Sequence, residues 1–98
     1  MNEANRFLKI ANEVFTWGAA LPALMRRIGE ATKMPNISDA DKTALTNASK
    51  RIGDIFEKAG KAIDDGNNDD LAVLADQLRD EIVKANLTLD RLRVPDSD

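Results

Sequence analysis

Three residues, Gly66-Asn67-Asn68, separate two long stretches of helical periodicity, and they do more than any other feature to limit what this chain can become. Gly66 suits the left-handed position that ends a helix, and Asn67 or Asn68 suits the N-cap of the next. A connection that short forces the flanking helices back against each other as an antiparallel hairpin. The helix before it reads Asp39–Asp65, with Leu45, Ala48, Ile52, Ile55, Ala59 and Ala62 on one stripe. Ser38 is its N-cap, with Asp41 three residues on as a variant capping box and Asp39 favouring the dipole. The helix after it spans about residues 69–93. Leu71, Leu74, Ala75, Leu78, Ile82, Ala85, Leu89 and Leu92 line one side. Pro95 stops it and leaves residues 95–98 as a disordered tail.

A longer helix precedes this hairpin, over about residues 2–33. Phe7, Ala11, Val14, Gly18, Leu21, Met25 and Ile28 recur at alternating spacings of four and three, and a second row through Ile10, Trp17, Leu24 and Ala31 lies beside them. Pro22 has no N–H for the carbonyl of Gly18, and its ring crowds that carbonyl. A kink at Gly18 and Pro22 is therefore expected, in preference to a break, because the periodicity runs through and no polar N-cap precedes Pro22. Met34-Pro35 ends the helix. At 98 residues the chain makes one domain. The expected fold is all-α, a three-helix antiparallel bundle with a long, kinked first helix.

Within the first helix, Val14–Met25 reads VFTWGAALPALM, three turns without a charge. A bundle helix normally keeps a polar face. Phe15, Trp17 and Leu24 point away from the Leu21 row, so one hairpin is not expected to cover them all. Uncovered apolar side chains of this size usually mark an interaction site. The expected contact set is Phe7, Phe15, Trp17, Leu21, Leu24 and Met25, rimmed by Arg26 and Arg27. Three destinies stay open for it: core wrapped around the hairpin, an interface with a protein partner or a second copy, and a membrane surface. For the last, Trp17 and the two arginines suit an interfacial helix, but the run is too short to span a bilayer.

Composition narrows the chemistry. The chain has no cysteine, histidine or tyrosine, which removes thiolates, the usual general base and the commonest metal ligand. No nucleophile–base arrangement stands out, so the chain is not expected to be an enzyme or to need a cofactor. Asp64-Asp65-Gly66-Asn67-Asn68-Asp69-Asp70 gathers carboxylates, but its spacing is not that of a calcium loop. Asp69 and Asp70 are explained by the start of a helix. The expected reading is a solvated turn and no metal site.

The net charge is −3, spread as +2 over residues 1–35, −1 over 36–66 and −4 over 67–98. Basic residues are interleaved with acids and lack stacking aromatics, so no nucleic-acid partner is expected. The charge gradient allows the first and third segments to attract each other, within a chain or between chains. Met1–Asn5 is polar and no cleavage motif follows, so a cytoplasmic location is expected. The function expected from these residues is non-catalytic protein–protein interaction, as an adaptor, inhibitor or assembly subunit, with peripheral membrane binding through the same helix as the alternative.

Overall fold

The computed structural model describes residues 3–94 and consists of three helices: α1 (Glu3–Thr32), α2 (Asp39–Asp65) and α3 (Asn68–Arg91). Asn2 and the expected tail at 95–98 lie outside the described residues. The helices pack on one another as a bundle, each touching the other two. The molecule is elongated, 51 × 22 × 17 Å. Thirty residues of helix measure about 45 Å, so the helices lie along the long axis.

α1 continues through Pro22 as one helix, not two. It ends at Thr32, where the N–H groups of Lys33 and Met34 turn back to Glu30 and Ala31. Ser38 starts α2, its hydroxyl accepting from the N–H of Asp41 at 3.1 Å. Asn67 does the same for α3 with the N–H of Asp70.

Both later helices end alike. Gly66 is left-handed (φ 67°), its N–H bonds to the carbonyl of Ile63, and the N–H of Asn67 reaches Ala62. At the end of α3, Arg93 is left-handed (φ 59°), its N–H bonds to Asp90, and that of Val94 reaches Leu89. These are the paired bonds of a Schellman stop. α3 thus ends earlier than its sequence periodicity suggests, because Arg93 occupies the position usually given to glycine.

The core contains Val14, Leu21, Leu24 and Ile28 of α1, Leu45 and Ile52 of α2, and Leu71, Leu78, Ile82 and Leu89 of α3. Among the described residues, seven of the eighteen buried apolar side chains are alanine, which lets the helices approach closely. α1 comes close to α2 at Gly18, where an added Cβ would stand 2.6 Å from Cε1 of Phe56. Seven residues further along α1, Met25 Sδ accepts from the hydroxyl of Ser49, seven residues back along α2. Between α2 and α3, Arg51 bonds Glu81 and Asp41 bonds Arg91, again in opposed order. Such opposed numbering is what an antiparallel hairpin requires.

Candidate interaction surface

α1 sits against both other helices, and this decides where its apolar surplus goes. Gly18 and Met25 face α2. Arg27 faces α3, donating to Asn86, Asp90 and Val94. The helix therefore buries a stripe about 140° wide, from the Ala11–Gly18–Met25 row across Val14–Leu21–Ile28 to Leu24 and Ala31. Phe7, Trp17 and Met25 are half-buried at its margins, packed against the core.

Three sequence expectations need correction. Leu24, expected off the covered row, is only 4% exposed; α3 covers the flank that α2 leaves open, so two neighbours bury what one could not. Arg27, expected as a rim charge, is 7% exposed. Its guanidinium donates to Asn86 Oδ1 (2.9 Å), Asp90 Oδ1 (3.1 Å) and the Val94 carbonyl (2.8 Å). It holds the end of α3 to α1 and is not available to an external partner. Leu21 is also covered by the chain's own helices.

Phe15 is different. It is 59% exposed. Phe15 and Trp17 are only two residues apart, but two residues of helix turn through about 200°, so Trp17 packs inward while Phe15 faces out. Leu8, seven residues before Phe15 on the same side, is also 59% exposed. Ala19 and Pro22 continue this row, and Arg26 lies exposed at its far end. The outward face of α1 is thus an apolar stripe with a basic end. Leu8 was missed in the sequence because it belongs to neither core row; its seven-residue spacing from Phe15 was the available signal. α3 exposes Val73, Val83 and Leu87 as well, but these are interrupted by Asp76, Asp80 and Lys84.

Other chemistry on the surface is sparse. Asp41 accepts from Arg91 Nη2 at 2.7 Å. That hydrogen bond, helped by one to Ser38 and by the nearby positive charge, outweighs desolvation and lowers the Asp41 pKa. The same contact raises that of Arg91. Two grooves of about 420 and 410 Å³ lie between α2 and α3. The first is lined by Lys58, Lys61, Asp65 and Asp70 among others. Among the described residues, no group of three acidic side chains is placed to hold a metal ion, and no helix is long and apolar enough to cross a membrane.

No protein family, curated protein or solved structure matches this chain.

Proposed function

We propose that the chain is a small, non-catalytic protein–protein interaction module that docks through the outward face of α1. The observation that carries this is the pair Leu8 and Phe15, large apolar side chains left on one exposed row. At 59% exposure each forgoes on the order of 1–2 kcal/mol by staying in water, and a docked partner recovers some of that. The expected contact set contracts accordingly, to Phe15 and Leu8 with Ala19, Pro22 and Arg26 around them. Phe7 and Met25 serve this surface only through their exposed edges, and Trp17, turned about 200° from Phe15, drops out of it. An adaptor or assembly subunit working in the cytoplasm fits this reading.

A photo-cross-linking side chain in place of Phe15 tests it. Discrete protein adducts in cells, with none from the same group at Asp76 on α3, are the expected result. Absence of adducts at position 15 would count against docking.

Peripheral membrane binding is the second reading, favoured by the exposed basic residues Arg26 and Lys33 beside the stripe. Co-sedimentation with anionic vesicles, lost on Phe15→Asp, is its expected signature. Wild-type protein that stays in the supernatant rules it out.

A further inference from the structure

Building on docking through α1, we infer that the partner is a second copy of this chain, paired across the α1/α2 face by a two-fold axis running crosswise to the helices. Two contacts define that face. Gly18 and Met25 of α1 meet Phe56 and Ser49 of α2. One helical row outward from these, away from the core, lie Phe15 and Pro22 on α1 and Thr46, Gly53 and Gly60 on α2. Phe15, Pro22, Thr46, Gly53 and Gly60 are exposed, and a Cβ built at Gly53 or Gly60 meets nothing within 4 Å. The middle of the face is thus uncharged and shallow, open to close approach by another helix.

The charges around this middle select both the partner and its direction. The next row of α2 carries Lys50, Glu57 and Asp64 in seven-residue steps. Its charge changes sign on either side of Gly53–Asp54. On α1, Arg26 and Lys33 lie at the same end as Lys50 and Lys42, given the opposed order of the two helices. One end of the face is net basic, even with Glu30 and Asp39 nearby, and the other is net acidic through Glu57 and Asp64, even with Lys61 between them. Lys42, Lys50, Glu57 and Asp64 make none of the ion pairs found among the described residues.

Two symmetric ways exist to lay this face on itself. An axis along the helices sets α1 on α2 of the second copy and places basic end against basic end. An axis across the helices, passing near Gly53, pairs α2 with α2 in opposite directions. Lys50 then meets Glu57 of the second copy, twice by symmetry, and Lys42 approaches Asp64. The same axis sets α1 against α1, bringing Phe15 over Arg26, where a guanidinium can lie on the ring face. A two-fold contact must be self-complementary, and only the crosswise axis makes these charges so.

The test measures mass by sedimentation over a wide concentration range, with circular dichroism melting as the folding control. Wild type should associate to a dimer. Lys50→Glu and Glu57→Lys should each weaken the dimer roughly tenfold by placing like charges opposite each other twice, and the double charge swap should restore it. The chain has no cysteine, so Gly53→Cys offers a direct readout. Residues on the axis meet themselves, and that variant should oxidise to a covalent dimer while Asp76→Cys does not. A wild type that stays monomeric throughout overturns the self-pairing and leaves docking through α1 to the Phe15 cross-linking result. A dimer indifferent to both charge reversals, with no cross-link at position 53, overturns the crosswise pairing while docking by another route stands.

Discussion

At the scale of single residues, Arg27 does the most unexpected work. It is the only charged residue among the buried side chains described, and its partner Asp90 is largely in water, at 68% exposure. Asp90 can therefore be rehydrated if the pair is broken, while the Val94 carbonyl and Asn86 beneath it cannot be so easily. Arg27→Ala should cost about 2 kcal/mol, a fall in Tm of roughly 10 °C for a domain this size. Asp90→Asn should cost under about 1 kcal/mol. Equal losses for the two variants, by denaturant titration, would mean the ion pair and not the carbonyl contact is what matters. Arg27→Lys should recover only part of the loss, because one ammonium cannot span three acceptors. Nothing in the sequence distinguished Arg27 from Arg26. They differ by 100° around the helix, and which of them turns inward depends on where α3 sits.

Asp41 is the residue through which pH acts most legibly. Its folded-state pKa lies below the unfolded value of about 3.9, so the native state binds its proton less readily. The Asp41–Arg91 contact therefore adds stability above that value and loses it as pH falls through the folded pKa. Asp41→Asn should lower Tm at neutral pH, with the gap to wild type closing below about pH 4. A gap that persists unchanged at low pH would show that the hydrogen bond to Ser38, not ionisation, accounts for the difference.

Among the elements, the helices were legible and their ends less so. Apolar spacing fixes α2 because its stripe, Leu45, Ala48, Ile52, Ile55, Ala59 and Ala62, is also the set that is buried, with only Ile55 left half-buried. Ser38, Gly66 and Asn67 punctuate it with the residue types their backbone conformations require. The end of α3 lacks such a marker: Arg93 takes a left-handed conformation (φ 59°) that costs an ordinary residue roughly 1–2 kcal/mol. Arg93→Gly relieves that strain against a smaller loss of chain entropy and should raise stability by up to about 1 kcal/mol. Two glycines inside α1 make an opposite pair. Gly29→Ala meets nothing within 4 Å and should stabilise by up to about 1 kcal/mol through helix propensity. Gly18→Ala places a methyl 2.6 Å from the Phe56 ring and should destabilise instead. If both stabilise, Phe56 is free to swing away and the α1/α2 contact is looser than its geometry implies.

For the whole molecule, the question raised by Val14–Met25 is how a bundle divides more apolar surface than one interface can cover. Period alone gave the three helices and the hairpin, since these depend on each segment's own spacing and turns. It did not give the division, which depends on two neighbours closing on α1 from different sides. Val14, Leu21 and Leu24 went to the core, Trp17 and Met25 to its margin, and Phe15 to water. This division makes a graded prediction for three alanine variants, measured by denaturant unfolding at concentrations low enough to keep the chain monomeric. Leu24→Ala should cost about 2–5 kcal/mol, as a fully covered leucine does. Phe15→Ala should stay within about 0.5 kcal/mol, since little of its ring leaves contact with the chain. Trp17→Ala should fall between them. An inverted order, with Phe15 the costliest, would mean that Phe15 is covered in the state that unfolds. In that case the loss should grow with protein concentration, because an associated state is stabilised by mass action and a lone bundle is not.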